Sequence, residues 1–403
     1  MINIEPSKCP LCGFNESEQV LYYEKYPFYI KPVPAEYRGT VPLLPLKILL
    51  CNKCSFVYQK LTFHPDELSK IYELNYESYH SPVISGIGSS LAQDFLKFLE
   101  DGMDLKNKKI LEIGCFDGYF LSLLRDKHSC AVIGCDPSPG GEIAGKIGIT
   151  VIKKYFSPAL FDKTFDIVIL RGVLEHITNP SNFLESVKEV LSEEGVIAVE
   201  VPNLDYSLTN GVIGDFFHEH VSYFTKESLV RCLELAGLET MQIDNSEYYL
   251  RAVFRRAKIP LSKSKKRSFE KEATRLKQLF KQYEENVERL KKELNDLLQS
   301  SSGDGIYVWG GGGHTIGLLS KMHGLLKPVG IIDGDRSKEG KFIPGFDLPV
   351  YSKIILADLD LKKSAIIVSS KIFQNEIIAE LKPYVRKGLK VIKLYPKVEY
   401  VKN

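Results

Sequence analysis

The sequence lacks long apolar runs: no stretch of its 403 residues approaches the roughly 20 apolar residues that span a bilayer, so we expect no membrane helix. It also lacks an excess of either charge, since 53 Lys and Arg stand against 51 Asp and Glu. Such a weak field gives no reason to expect a nucleic-acid partner. Residues Met1 to Pro6 lack the basic and apolar regions of a secretory signal, so we expect a cytoplasmic protein.

Four stretches of the chain differ in character, as expected for a length beyond one ordinary core. We predict an α/β protein with a cysteine-paired N-terminal module at residues 1–65, an α/β domain at 66–260, a linker and long amphipathic helix at 261–302, and a smaller α/β domain at 303–403. In the second stretch, short apolar segments alternate with amphipathic ones, which predicts a parallel sheet covered by helices. The apolar segments are Lys109–Ile113, Ala131–Cys135, Phe165–Leu170 and Val196–Val201.

The charged stretch from Phe269 to Ser300 carries leucines and other apolar residues three or four positions apart. This spacing predicts a helix with one apolar face. Two interpretations stay open: the face packs against the α/β regions of its own chain, or it forms the seam of a homodimer. We accordingly expect a monomer or a homodimer.

Half of the eight cysteines form two Cys-x-x-Cys pairs, which in a reducing compartment indicate metal binding. Each pair places two thiolates on one tight turn, and two such turns supply the four sulfur ligands that Zn²⁺ prefers. The residues are Cys9, Cys12, Cys51 and Cys54. Because four sulfurs leave no open coordination position, we predict a zinc ion that stabilises the fold and performs no chemistry. Unpaired structural thiols are the alternative.

The segment 109–120 reads as a buried strand, a tight glycine turn and a helix. After that helix a second strand ends at Asp136, where a carboxylate is placed to accept hydrogen bonds from ribose hydroxyls. A pyrophosphate loop needs repeated glycines, whereas here Phe116 takes the middle position and Glu112 precedes the turn. An acidic turn with few glycines suits a positively charged sulfonium and favours S-adenosylmethionine (SAM) over a dinucleotide.

A cluster of titratable side chains stands at His218, Glu219 and His220, with Tyr223 just beyond it. Histidine is suited to act as a general base near neutral pH because its pKa starts there. If the segment is extended, the two imidazoles share one face and Glu219 lies on the other. A purely structural role for either histidine stays open, and a second metal site lacks an evident third ligand.

The turn around Gly114 resembles motif I of the class I SAM methyltransferases, and the segment Phe165–Pro180 resembles the strand and loop that flank their cofactor. The resemblance implies that Gly114 approaches the methionine part of SAM and that Asp136 binds the ribose. The cofactor-binding residues that it implies are Glu112, Gly114, Phe116, Asp117, Gly118, Asp136 and Glu175.

The two cysteine pairs, the SAM motif and the pattern His-Glu-His-x-x-Tyr-Phe together resemble the sugar C-methyltransferases over nearly the whole chain. That family methylates carbon 3 of nucleotide-linked 4-keto deoxysugars. The resemblance implies that His220 removes the proton beside the ketone, that Glu219 assists, and that His176 lies near the developing enolate. It also implies that Tyr76 lies near the substrate as a catalytic residue, and we count His218 and Tyr223 as candidate substrate-binding residues. This agrees with the chemistry, because a carbon beside a carbonyl becomes nucleophilic only when it is deprotonated.

The C-terminal stretch repeats the nucleotide-binding arrangement, with four glycines before a helical segment and a second strand that ends at Asp333. Glycines at a helix N-terminus are suited to hold the diphosphate of a nucleotide sugar. Residues 337–345 resemble the family's Lys-x-Gly-Lys-x-x-Pro-Gly segment. The candidate substrate residues here are Gly310, Gly312, His314, Lys338 and Lys341. The alternative is a domain that serves only as a lid.

Three departures from the sugar C-methyltransferase pattern leave the substrate open. Ile316 or a neighbour replaces a lysine in the glycine-rich loop, Phe217 replaces a tyrosine, and residues 369–376 lack a Trp-Asn pair. We still expect a nucleotide-linked keto-deoxysugar, and another nucleotide sugar or a different small molecule stays open as the substrate. The main rival is an O- or N-methyltransferase of the same fold, in which His220 deprotonates a different group. The near-zero net charge disfavours a zinc-containing nucleic-acid-binding module, and no hydride-transfer constellation supports a dinucleotide oxidoreductase.

Overall fold

The computed structural model describes residues 8–60, 81–85, 88–245, 248–258, 269–299, 305–322 and 324–402. The chain divides into two compact units. The first contains the described residues of Met1–Val20, Ile48–Tyr206 and Glu219–Leu276, and the second those of Leu21–Lys47, Ser207–His218 and Lys277–Asn403. None of the helices in these described ranges combines the length and apolarity needed to cross a membrane. The four-part division made from the sequence stays a prediction.

The N-terminal region is made of strands joined by tight turns. Its elements are β1 (Ser17–Pro27), a 3₁₀ helix (Ala35–Tyr37), β2 (Leu43–Cys51) and β3 (Val57–Lys60). The inward-facing side chains of β2 alternate with more exposed ones, which is the pattern of a strand with one face against a core. Leu46, Ile48 and Leu50 are the fully buried members of that alternation.

Strands and helices alternate through the central region, as the sequence predicts. The helices are α1 (Pro82–Ser85), α2 (Ser89–Gly102), α3 (Tyr119–His128), α4 (Gly140–Lys146), α5 (Pro180–Glu189), α6 (Leu204–Thr209) and α7 (Lys226–Leu235). The strands are β4 (Lys109–Ile113), β5 (Ala131–Cys135), β6 (Val151–Ile152), β7 (Phe165–Arg171), β8 (Leu191–Pro202), β9 (Ser222–Tyr223), β10 (Leu238–Asp244) and β11 (Tyr249–Arg256). Short 3₁₀ helices lie at Pro158–Leu160, Leu174–His176 and Ile213–Asp215.

Seven of these strands form one sheet in the order β10-β11-β8-β7-β4-β5-β6. The strands from β8 to β6 run parallel, which confirms the predicted parallel arrangement at the centre. The prediction is wrong at one edge, where β11 runs antiparallel to β8 and β10 antiparallel to β11. A connection with no crossover helix between β10 and β11 allows only antiparallel pairing.

The carboxyl ends of β4, β5 and β7 lie along the same edge of this sheet because the three strands are parallel neighbours. Loops that follow such strands converge on one crevice, which is where ligands bind in open α/β sheets. A separate four-stranded sheet has the order β1-β2-β3-β9, and β9 pairs antiparallel with β3.

The C-terminal region follows the same α/β alternation. Its elements are α8 (Phe269–Gln299), β12 (Gly305–Trp309), α9 (Gly313–Lys321), β13 (Gly330–Asp333), β14 (Phe342–Ile343), β15 (Leu348–Ser352), β16 (Ser364–Val368), α10 (Gln374–Val385), β17 (Lys390–Lys393) and β18 (Glu399–Tyr400). Three 3₁₀ helices lie at Arg336–Lys338, Lys353–Ala357 and Leu361–Lys363. The sheet order is β14-β15-β13-β12-β16-β17-β18, with a parallel centre.

The apolar face of α8 is buried within the single chain, since Leu276, Tyr283, Val287 and Leu294 are each at most 2% exposed. This burial agrees with the interpretation that the face packs inside its own chain. The oligomeric state stays a prediction.

Candidate active site

A turn of five residues joins β4 to α3 and holds its shape through left-handed backbone. Gly114, Phe116 and Gly118 all have positive φ, at 77°, 45° and 70°. A side chain at position 114 would come within 2.6 Å of Val173, so only glycine lets these loops approach each other. Gly140 meets the same constraint, because a Cβ there would lie 2.7 Å from the backbone carbonyl carbon of Phe116.

Asp136 ties this turn to the end of β5. Its two carboxylate oxygens accept the backbone N–H groups of Phe116 and Ser138, each at 2.8 Å. The side chain is 6% exposed, and the N–H of Gly114 donates to the carbonyl of Cys135 at 2.8 Å. Each carboxylate oxygen keeps a second acceptor lone pair, so Asp136 is still able to accept ribose hydroxyls. The predicted cofactor residues of the turn therefore lie together.

Asp117 is occupied by protein donors. Its carboxylate accepts hydrogen bonds from the hydroxyl of Ser81 at 2.6 Å, from the N–H of Val83 at 3.1 Å and from the N–H of Tyr119 at 3.0 Å. Asp117 thus fastens the segment around α1 to the start of α3. Its contact with the cofactor stays a prediction. The described contacts of Asp117 position protein segments relative to each other.

Glu112 lies at the carboxyl end of β4 and is 2% exposed. Burial raises the pKa of Glu112 to about 8, although the guanidinium of Arg171 at 3.8 Å lowers it. Its Oε2 has no hydrogen-bond partner among the described residues. Arg171 is held elsewhere, since its Nε donates to Glu200 at 3.2 Å and its guanidinium stacks 4.5 Å from the ring centre of Phe120. An unpaired carboxylate oxygen beside the turn fits the positively charged amino group of a SAM molecule.

Three titratable side chains lie together: Glu175 and His176 from the loop after β7, and His220 from the segment just before β9. One carboxylate oxygen of Glu175 and one ring nitrogen each of His176 and His220 lie within 4.8 Å of one another. The two imidazole rings are 4.9 Å apart between centres, with planes at 71°. Burial raises the pKa of Glu175 to about 8. The structure therefore places Glu175, predicted to bind the cofactor, beside two residues with other predicted roles. These are His220, the predicted base, and His176, predicted to lie near the enolate.

His176 has a defined tautomer. Its Nδ1 lies 2.9 Å from the backbone carbonyl of Glu219, and a carbonyl only accepts, so Nδ1 carries the proton. In neutral His176 the lone pair is then on Nε2. The side chain of Glu219 is 1% exposed, and the ring of Tyr223 lies 6.3 Å from that of His220.

His218 does not share a face with His220. The sequence predicts a shared face only for an extended segment. The chain instead turns at 217–219 and becomes a strand only at Ser222. The His218 ring lies 5.9 Å from Tyr26 and 5.6 Å from Phe28, and burial lowers its pKa to about 4. This surrounding matches the structural alternative for His218, and its contact with substrate stays a prediction. Tyr76 lies outside the described residues.

The four cysteines of the two pairs form one cluster, with all sulfurs within 4.8 Å of one another. Their turns have the same construction. In the first, the N–H of Gly13 donates to the carbonyl of Cys9, and in the second the N–H of Ser55 donates to the carbonyl of Cys51. Gly13 and Ser55 both have left-handed backbone.

The sulfur spacing fits a zinc ion. Cys9 and Cys54 lie 3.6 Å apart, as do Cys12 and Cys51. A tetrahedron with Zn–S bonds of about 2.3 Å has edges of about 3.8 Å. The cluster is therefore compatible with the predicted zinc module, and zinc binding itself stays a prediction.

The C-terminal glycine loop is held by an internal ion pair. Asp333 accepts the N–H of Gly311 at 2.6 Å and the ammonium of Lys338 at 2.9 Å, and Lys338 is 3% exposed. Burial alone would raise the pKa of Asp333, but Lys338 and the backbone donors outweigh it and hold that pKa below its ordinary value. Lys338 thus has a protein partner, and its contact with a diphosphate stays a prediction.

The remaining predicted residues of this loop differ in surroundings. A Cβ on Gly312 would meet no atom within 4 Å, whereas Gly310 has φ of 111° and faces the hydroxyl of Ser369. His314 packs so closely on Gly214 that a Cβ there would lie 2.4 Å from the His314 Cα, and burial lowers the pKa of His314. Lys341 is half-buried.

Two comparisons with protein-family models cover most of the chain. Residues 87–243 match a methyltransferase domain, and residues 250–396 match a C-methyltransferase C-terminal domain. The C-methyltransferase NovU of Streptomyces niveus is 22% identical over 373 residues, covering 86% of this chain and 85% of that protein.

Two other similarities each cover less than half of this chain. A tRNA U34 carboxymethyltransferase of Campylobacter hominis is 28% identical over 129 residues, and the match covers 28% of this chain and 43% of that relative. This chain therefore matches less than half of the length of that relative. A solved structure, a DhpI–SAH complex, has 19% identity and a TM-score of 0.38, covering 48% of this chain and 98% of the other.

The α/β sheet, the acidic turn and the matched methyltransferase domain define a SAM-dependent methyltransferase of the class I fold. The C-terminal match and the similarity to NovU narrow this assignment. The chain belongs to the SAM-dependent C-methyltransferase family.

Replacing Glu112 by glutamine is expected to weaken SAM binding about 10-fold or more, because a charge-assisted hydrogen bond contributes roughly 1.5–3 kcal/mol. The same change should stabilise the ligand-free protein above pH 8. An unfolded glutamate ionises near its ordinary value of 4.5, whereas folded Glu112 holds its proton to about 8, so folding becomes costlier as pH rises between these values.

Calorimetry with SAM and thermal unfolding at pH 5 and pH 8.5 measure both effects. The stability gain should be small at pH 5 and larger at pH 8.5. Glu142→Gln is a matched control, since Glu142 lies on the surface of α4 and pairs with Lys153. Unchanged SAM affinity in Glu112→Gln would refute the assignment of this residue to the cofactor.

Sequence reasoning missed the groups that support the turn. Ser81 holds Asp117, and Glu200 joins Arg171 to Arg251, whose Nε donates to it at 2.8 Å. The sequence does contain one sign of the Glu200 ion pairs. Glu200 is an acid inside the apolar segment Val196–Val201, and a charge in a buried strand needs a buried partner.

Proposed function

We propose that the protein methylates a carbon beside the carbonyl of a nucleotide-linked keto-deoxysugar. The observation that carries this proposal is the juxtaposition of His220 with His176 and Glu175 in the loop after β7. This loop lies at the sheet edge where the cofactor turn begins. The family assignment to C-methyltransferases supports carbon as the acceptor atom.

His220 is proposed as the base. It is 9% exposed, so the imidazole is largely shielded from water while it retains access to a ligand. Removal of a proton from the carbon beside the ketone transfers that proton to His220 and places negative charge on the ketone oxygen. SAM, when bound, supplies the methyl group that this carbon accepts.

His176 is proposed to stabilise the charge on the ketone oxygen. Because its Nδ1–H is committed to the carbonyl of Glu219, a hydrogen bond from Nε2 requires the doubly protonated imidazolium. A charged donor of this kind stabilises a developing oxyanion more strongly than a neutral one. Glu175 lies close enough to favour the imidazolium when its carboxyl group is ionised.

A labelled-methyl transfer assay over a panel of 4-keto sugar nucleotides tests the proposal, with the labelled position assigned by NMR. We expect the label on the carbon beside the ketone. A label on oxygen or nitrogen would make the protein a methyltransferase of another acceptor atom and would refute the enolate. Calorimetry with SAM and with NAD is the companion measurement, and we expect binding of SAM only.

A further inference from the structure

We propose that Glu175, His176 and His220 form a second divalent-metal site in the free enzyme. Three potential ligand atoms from these residues lie within 4.8 Å of one another, which is the spacing of side chains around one ion. The site takes a transition-metal cation such as Zn²⁺ or Co²⁺. This site has no residue in common with the cluster of four cysteines.

The chemistry of the three donors selects this class of cation. Two imidazoles and one carboxylate suit zinc and its first-row neighbours, whereas magnesium and calcium prefer sites made of oxygen. Three protein ligands also leave at least one coordination position open, unlike the closed shell of four sulfurs.

Glu175 is a buried carboxyl group with no lysine or arginine paired to it among the described residues. It is 4% exposed, and its Oε2 has no hydrogen-bond partner in the described part of the chain. Buried carboxylates are normally paired with a cation or bound to a metal, and a divalent ion held by the two histidines supplies the missing charge.

His176 is oriented as metal-bound histidines usually are. The Nδ1–H of His176 donates to the backbone carbonyl of Glu219, so Nε2 is the ring nitrogen that would bind an ion. A ring N–H bound to a backbone carbonyl is the common arrangement behind metal-bound imidazoles.

Backbone contacts fix the two segments that carry the ligands. The N–H of Val221 donates to the carbonyl of Glu175 at 2.8 Å, and the hydroxyl of Ser222 donates to the carbonyl of Ile177 at 3.1 Å. The segment 175–177 and the segment 219–222 are therefore joined on both sides of the site, so little ordering remains when an ion binds.

Metal binding has a consequence for catalysis, and this part rests on the proposed function. A metal ion bound to His220 uses the nitrogen lone pair that would accept the substrate proton. The ion and the base are then mutually exclusive, and micromolar Zn²⁺ should inhibit methyl transfer until a chelator removes it.

Cobalt titration of the 403-residue chain, with zinc retained in its cysteine cluster, tests the site. Cobalt has visible absorption that reports its ligands, and cobalt bound to thiolates adds intense sulfur-to-metal bands. We expect one further Co²⁺ per chain without those bands. Glu175→Gln, His176→Ala and His220→Ala should each weaken this binding at least about 10-fold.

His128→Ala is the matched control. His128 also lies beside a carboxylate, with Nε2 2.7 Å from Glu100, but outside the cluster. Its cobalt affinity should equal that of the unchanged protein. Far-UV circular dichroism and retention of the cysteine-bound zinc establish that each variant is folded. If His176→Ala does not fold, His176→Gln replaces it in the titration.

The proposal is overturned if the folded protein binds no cobalt beyond the cysteine cluster, or if the three cluster variants bind it as tightly as His128→Ala does. Because the titration needs neither SAM nor acceptor, its failure is distinct from failure of the proposed function. Cobalt binding with methylation of oxygen would refute the enolate alone, and carbon methylation with no cobalt binding would refute the metal site alone.

Discussion

Replacing His220 by alanine should lower kcat by about 10²–10⁴-fold and leave SAM affinity nearly unchanged, because a general base contributes roughly that factor to a proton transfer. The cofactor turn is built by Gly114, Phe116 and Asp136, none of which is altered by this substitution. Steady-state kinetics and SAM calorimetry on the same preparation measure the two quantities.

Isotope exchange separates the base from the methyl transfer. With SAM left out, the unchanged protein should exchange the acidic proton of the substrate with deuterated water, and His220→Ala should not. His220→Gln keeps more of the side-chain volume and should behave like the alanine variant. His128→Ala provides the histidine control, with exchange retained. An active protein that shows no exchange would contradict a stepwise enolate.

Removing a zinc ligand should have the largest effect on stability. Cys54→Ser is expected to abolish zinc binding and to lower the free energy of unfolding by at least about 3 kcal/mol, since structural zinc sites contribute directly to folding. The loss should extend beyond the two turns. Cys9, Cys51 and Cys54 belong to the same hydrophobic cluster as Phe224 and other residues of the central region.

Activity should fall with the zinc. Strand β3, which follows the second cysteine turn, pairs with β9, and the N–H of Gln59 donates to the carbonyl of Val221, next to His220. Loss of the turn therefore loosens the segment that carries the proposed base. Metal analysis, thermal unfolding and the methyl-transfer assay check the three effects.

Cys130→Ser is the matched control for the cysteine prediction. The Cys130 thiol is buried and donates to the carbonyl of Leu105 at 3.1 Å, a contact that a serine hydroxyl is able to make. One zinc per chain should remain in this variant, with most of its stability. If Cys54→Ser were as stable as Cys130→Ser, the cysteine cluster would not be a structural metal site.

Much of the central fold was predictable from local patterns. The strands Lys109–Ile113 and Ala131–Cys135 have the bounds that the apolar segments predict, and the helix from Phe269 follows its apolar spacing. Buried parallel strands are continuous apolar runs, so they are visible in one dimension. The antiparallel edge was not predicted, because β10 has polar residues and partly exposed apolar ones such as Met241.

The candidate site also has a part that was predictable from the sequence and a part that was not. Motif residues that are neighbours in sequence, such as Gly114, Phe116 and Asp117, were found by their pattern. The partnership of Glu175 with His220 was not, because 45 positions separate them and spacing carries no information about which loops meet.

The sequence by itself determined the class of the protein: an α/β chain with a SAM-type turn, four paired cysteines and histidines suited to a base. Those features depend on residue type and short spacing, which local chemistry dictates. Only the tertiary structure decided that His218 is enclosed by aromatic rings and that the carboxyl group of Glu175 lies beside His176 and His220. These depend on which distant segments the packed sheet edges bring together, and burial there sets the pKa of each group.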